Sequence, residues 1–178
     1  MELPEELRNK PPRKPGQEAS AHLTLDAYTR LKAELDELKM EGRTKIAERL
    51  LHARELGDIS ENAEYDAAKN EQGLMEARIR NLERMLRDPE IVEAPTESDT
   101  VSPGMLVTVR ALDEDDPDDE VYLLADSAEE RAPGARTITT TSPLGSALVG
   151  AAPGDEVAYQ APGGSFRYKV VEFRPAAG

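Results

Sequence analysis

Apolar residues recur every three or four positions from Leu23 to about Leu86, and roughly every second position from Met105 to Phe173. The first pattern is helical. Thr24 is placed to cap a helix whose stripe is Tyr28, Leu31, Leu35 and Leu38. After a break near Gly42 the stripe resumes at Ile46, Leu50 and Ala53, and Gly57 is a natural stop. A second helix begins near Glu61 with the stripe Ala68, Met75, Ile79, Leu82 and Leu86. It closes at Asp88-Pro89, because the residue before a proline leaves the helical region. The remaining positions are mostly Glu, Lys and Arg, so each stripe is the narrow seam of a coiled coil rather than the wide face of a globular helix. A short connection between two such helices predicts an antiparallel hairpin. Residues 25–56 at about 1.5 Å each give an arm of roughly 48 Å. One narrow seam cannot bury its middle, so the arm is expected to protrude.

The second pattern is that of strands. "MLVTVRAL", "EVYLLAD", "RTITTT", "DEVAYQA" and "FRYKVVEF" alternate or are β-branched, and Pro133-Gly134, Pro153-Gly154 and Pro162-Gly163-Gly164 separate several of them. The last turn predicts a hairpin between Val157–Ala161 and Phe166–Phe173. In "SPLGSALVG" Ser142 caps a short helix, Pro143 fills its first turn, Leu144, Ala147 and Leu148 face inward, and Gly150 ends it. The fold class is therefore α+β in two domains: an antiparallel coiled-coil hairpin at 23–88 with its tip at 57–61, a linker at 89–102, and a small domain at 103–174 with an antiparallel sheet and one short helix.

Composition adds three points. Residues 1–22 are rich in Pro and charge without an apolar period, and are expected to form a disordered tail whose Lys10, Arg13 and Lys14 could meet an acidic partner. Net charge is -14, which disfavours duplex DNA held by bulk electrostatics. The charge is uneven: residues 1–91 carry 16 basic and 20 acidic side chains, and residues 92–178 carry 6 and 16, so the halves are expected to meet different partners. There is no cysteine, and neither a signal-type segment nor a membrane-length apolar run is present, so a soluble, cytoplasmic protein with no membrane partner is expected.

The stretch between the helices, "LGDISENAEYDAAKNEQ", holds the candidate chemistry. Asp58 and Glu61 are three apart at a helix start. By spacing alone they read as a capping box. The other reading is a carboxylate pair presented at the end of an arm. Glu64, one turn on, reads as structural. The acidic run "DEDDPDDE" at 113–120 lacks the spacing of a calcium loop and reads as a solvated turn.

"ARELGDISENAEYDAAKNEQ" (53–72) followed by "EARIRNLERML", and "SPLGSALVG" followed by "PGDEVAYQAPGGSFRYKVVEF", resemble the bacterial transcript cleavage factors, the GreA/GreB-like elongation factors. The resemblance covers about residues 23–173, in the family's domain order. It implies that the C-terminal domain is FKBP-like and docks on RNA polymerase, while the arm enters the secondary channel. It implies that Asp58 and Glu61 act catalytically within the polymerase's active site. There they help to hold an Mg²⁺ that belongs mainly to the polymerase, so the extruded 3′ end of backtracked nascent RNA is cut. The matching positions for RNA contact are Arg54 and Lys69. Gly57, Asn62 and Tyr65 shape the tip. On this reading the protein is a monomeric accessory factor, not itself an enzyme. It binds no cofactor alone, and any DNA binding is weak and implied by the family only.

Two other readings stay open from the residues. A related arm-bearing protein could occupy the same channel and inhibit or modulate the polymerase without promoting cleavage. A plain coiled-coil adaptor would use the two acids only as caps. The segment 124–136 ("LADSAEERAPGAR") matches the family's connection poorly, and the tail at 1–22 is longer than the family usually carries.

Overall fold

A computed structural model describes residues 3–55, 63–93, 95, 98–113 and 117–176. The chain divides into two units: residues 1–21 with 28–90, and residues 22–27 with 91–178.

The first unit is the helical hairpin. α1 is a single turn, Glu5–Arg8. α2 spans Leu25–Glu37, a π-helical segment follows at Leu38–Gly42, and α3 runs Arg43–Glu55. α4 spans Ala63–Leu86 and returns antiparallel to them. The expected seam is buried at Tyr28, Leu31, Leu35, Ile46, Ala53, Ala68, Ile79 and Leu82. Leu38, Leu50, Met75 and Leu86 lie half-buried at its edge. From Leu35 to Ile46 the seam must advance eleven residues in three turns, wider than a heptad allows. The π segment lies within that stretch. A Cβ on Gly42 would lie 2.9 Å from Met75 Sδ, so a larger residue there would make the flexible Met75 side chain shift. Charged pairs flank the seam, with Lys39 on Glu83 at 2.6 Å, Arg43 on Glu76 at 2.8 Å and Arg78 on Glu34 at 2.6 Å.

The N-terminal segment differs from expectation. Residues 3–21 carry α1 and a set of hydrogen bonds and ion pairs to residues 85–90 instead of a featureless tail. Apolar periodicity could not reveal this, because the segment is held by charge.

The second unit is built on a five-stranded sheet in the order β5-β4-β3-β7-β6. β1 (His22–Leu23) and β2 (Glu90–Ile91) form a separate two-stranded ladder. β3 is Met105–Ala111, β4 Asp119–Ala125, β5 Arg136–Thr139, β6 Glu156–Ala161 and β7 Gly164–Pro175. β3 pairs antiparallel with both β4 and β7, and a bulge at Thr108/Val109 interrupts the β3–β7 register. The predicted hairpin is present, with Ala161 opposite Gly164, so Pro162-Gly163 is a two-residue connection. The sheet is mixed rather than wholly antiparallel, because β5 runs parallel to β4. The loop between them, within the poorly matched 124–136 stretch, carries the chain back to start β5 in the same direction.

α5 (Pro143–Leu148) packs one face of the sheet. Its Leu144 and Leu148 join Val101, Met105, Val107, Val109, Leu124 and Val170 in one apolar core. Tyr159 stacks on Phe166 and Tyr168 at 5.4 and 6.1 Å between ring centroids. In the acidic run, of which residues 114–116 lie outside the described residues, two exposed acids are paired. Asp113 accepts from Arg167 Nη2 at 2.7 Å, and Asp119 from Arg110 Nε at 2.7 Å.

Thr24 caps α2 as expected, its Oγ1 accepting from Ala27 N at 3.2 Å. The loop after β4 reaches the same place. The buried Glu130 accepts from Thr24 N and from Thr24 Oγ1, both at 2.7 Å. A carboxylate at a helix N-terminus meets orphan amides and the positive end of the dipole. The 124–136 stretch thus supplies an acceptor to Thr24 within the sheet unit, which includes residues 22–27.

Candidate functional site

Seven residues, 56–62, join α3 to α4. The expected tip residues Gly57, Asp58, Glu61 and Asn62 fall in this stretch, outside the described residues. The described residues on either side define its base. Glu55 closes α3 and Ala63 opens α4, so the connection occupies one end of the hairpin. The first turn of α4 carries Glu64 and Asp66, acids at the positive end of a 24-residue helix.

Arg54, on the last turn of α3, lies with its guanidinium 5.8 Å from the centroid of the Tyr65 ring. Tyr65 is half-buried on the first turn of α4, so this contact joins the two helices directly below the tip. A guanidinium held over a ring face is positioned without consuming its N–H donors, which stay available for bidentate contact with a phosphate. Two of the expected residues, Arg54 and Tyr65, are thus brought together. Lys69 is exposed one turn further along α4, and its Nζ donates to Gln72 Oε1 on the same helix at 2.8 Å.

Arg49 was not singled out from the sequence. Its Nη2 and Nε donate to Glu64 Oε1 at 2.8 and 3.3 Å, and Nη1 also bonds Glu71. These bonds hold the guanidinium of Arg49 firmly protonated, the one to Glu64 contributing most. Glu64, read from the sequence as structural, pairs with Arg49 across the two helices. The signal was present: Arg49 is three residues after Ile46 and four before Ala53, on the seam edge that faces α4. Among the described residues no group of three or more His, Cys, Asp or Glu is arranged to hold a metal ion, and none of the helices is long and apolar enough to cross a membrane.

Comparison with known proteins decides the family. The model of the transcription elongation factor N-terminal domain matches residues 21–91, and that of the GreA/GreB C-terminal domain matches residues 95–175. The chain belongs to the GreA/GreB family of transcription elongation factors. The transcription elongation factor GreA of Thermotoga neapolitana is 45% identical over 150 residues, 84% of this chain and 94% of that protein. GreA of Saccharopolyspora erythraea is 42% identical over 157 residues, 88% of this chain and 95% of that protein. Among solved structures, GreA factor homolog 1 (Gfh1) of Thermus thermophilus aligns at 26% identity over 86% of this chain and 98% of that one, with a TM-score of 0.38. The GreA/GreB match spans both units, so the hairpin and the sheet correspond to the family's N- and C-terminal parts. Residues 3–20 lie outside both matched regions.

Proposed function

We propose that this elongation factor binds RNA polymerase and places the end of its helical hairpin in the secondary channel. There it stimulates the polymerase's own cleavage of backtracked nascent RNA and so rescues arrested complexes. The observation that carries this reading is the G-D-x-x-E-N-A-E-Y motif at the closed end of a two-helix arm, in a chain matched along both parts to the GreA/GreB family.

On this reading Asp58 and Glu61 offer hard oxygen donors of the kind Mg²⁺ accepts. The ion, held mainly by the polymerase, would supply charge stabilisation at the attacking and leaving oxygens of the phosphodiester. Arg54, steadied on Tyr65, faces the phosphates of the extruded 3′ segment, with Lys69 as a second cation. The sheet unit docks on the polymerase. The factor supplies groups to another protein's active site and turns over no substrate alone.

The test is cleavage of RNA in stalled polymerase complexes. The wild type is expected to shorten the transcripts, and Asp58→Asn/Glu61→Gln to lose that stimulation while still competing for the polymerase. Equal stimulation by both proteins overturns the tip assignment. Slowed nucleotide addition without shortened transcripts would identify a channel-occupying modulator instead.

A further inference from the structure

Residues 3–20 carry the basic cluster Lys10, Arg13 and Lys14, which neither the family match nor the tip explains. The structure supplies acceptors for two of these cations from the same chain. Arg13 forks across the end of α4: Nε donates to Asp88 Oδ2 at 2.8 Å, Nη1 to Glu90 Oε2 at 3.0 Å and Nη2 to Asp88 O at 3.3 Å. Lys10 Nζ donates to Arg87 O at 2.8 Å. Ser20 Oγ donates to Met85 O at 2.6 Å and accepts from Asp88 N at 3.0 Å, and Gln17 Nε2 adds a bond to Asp88 at 3.3 Å. The last carbonyls of a helix have no intrahelical donors, and Pro89 prevents the chain from supplying them by continuing. Ser20 supplies one of them from outside at Met85 O, Lys10 and Arg13 bond the next carbonyls just past the helix, those of Arg87 and Asp88, and the two cations also suit the negative end of the α4 dipole. At the other end of the segment Glu6 accepts from Tyr28 Oη at 3.3 Å and pairs with Lys32 at 3.8 Å, both on α2.

We propose that residues 4–20 form a strap across the open base of the hairpin, joining the start of α2 to the end of α4 through charge-assisted bonds. The basic cluster is thereby an internal cap and not a site for nucleic acid. The arm is closed at both ends: by the 56–62 connection at the tip and by the strap at the root. The hydrogen bond from Arg13 holds the Asp88 carboxyl below the usual carboxylate range, as the geometry requires. Because the bonds are partly exposed, salt weakens them.

The proposal is independent of the tip and is tested on the full chain without polymerase. Amide hydrogen exchange is followed for peptides spanning residues 3–14 and 83–92 in the wild type, Arg13→Glu, Arg13→Gln and the charge swap Arg13→Glu/Asp88→Arg. Arg13→Glu is expected to raise exchange about tenfold or more in both peptides and Arg13→Gln to raise it less. The swap should restore protection, and 1 M NaCl should loosen the wild type toward Arg13→Glu. Wild-type exchange in both single variants overturns the strap. So does binding of a labelled single-stranded RNA oligomer by the wild type and not by Arg13→Gln.

Discussion

Replacing Ser142 by Ala removes two hydrogen bonds from one atom at the start of α5. Ser142 Oγ accepts from Gly145 N at 3.1 Å and donates to Thr139 O at 2.7 Å. The helix has six residues and Pro143 brings no N–H, so the cap serves a large share of the donors that need one. Loss of an N-cap costs about 1 kcal/mol. The second loss is smaller, because the Thr139 carbonyl keeps the bond from Ser142 N at 3.0 Å, and a half-lost acceptor is worth about 0.5 kcal/mol. The sum is about 1.5 kcal/mol. For a domain of this unit's size that lowers the melting temperature by roughly 6–12 °C. The consequence extends beyond the helix. α5 carries Leu144 and Leu148 into the core against Val101 and Val170, so loosening its first turn loosens one wall of the sheet unit. The assay is urea unfolding at fixed m-value together with a thermal melt. Ser142→Thr keeps the hydroxyl and should stay within about 0.5 kcal/mol of wild type. Ser142→Val has nearly the same shape without the hydroxyl and should fall with Ser142→Ala. If Thr and Val behave alike, or Ala costs less than about 0.3 kcal/mol, the hydroxyl is not what fixes α5 and the reasoning fails.

Two further outcomes follow from the packing and charges. Ile79 is buried to 1% exposure on the narrow seam, so Ile79→Ala should cost about 3 kcal/mol in denaturant unfolding followed by helical circular dichroism. A loss under about 1 kcal/mol would mean that the flanking ion pairs, not the seam, hold the arm. In the sheet unit, hydrogen bonds from Arg167 and Arg110 lower the pKa of Asp113 and Asp119 respectively below the usual 3.8. Folded-state values below the unfolded ones mean stabilisation that is present above about pH 4 and is lost as pH falls through the folded values. Melting temperatures measured between pH 6 and pH 2 should therefore drop more steeply for the wild type than for Arg167→Met. Parallel curves would contradict it.

The helices, the β6–β7 hairpin and the Ser142 cap were legible in the sequence because each is written in residues close together: a period of three to four, a Pro-Gly-Gly turn, a Ser-Pro pair. What escaped has partners far along the chain. Arg13 and Asp88 are 75 positions apart, so a stretch without apolar period looked like a loose tail. Glu130 meets Thr24 across 106 positions, and nothing near "SAEERAPGAR" announces a helix to cap. The direction of β5 depends on how the 126–135 loop returns, not on its own residues. The break at Gly42 was visible, but its neighbour there, Met75 Sδ on the facing helix, was not.

The same distinction governs the cations below the tip. Sequence alone gives Arg49, Arg54 and Lys69 equal standing as charged residues on an exposed arm. Their neighbours separate them. Arg49 is bonded to Glu64 and Glu71 on the facing helix, and moving it to a phosphate would break both ion pairs. Arg54 is held by a ring, so a phosphate can take its N–H groups while the contact with Tyr65 persists. Lys69 gives up one neutral partner, Gln72, which water replaces at little cost. Under the proposed function, the side chains that meet RNA are those whose existing contacts survive the meeting. That criterion selects Arg54 and Lys69 and leaves Arg49 as the bolt between the helices.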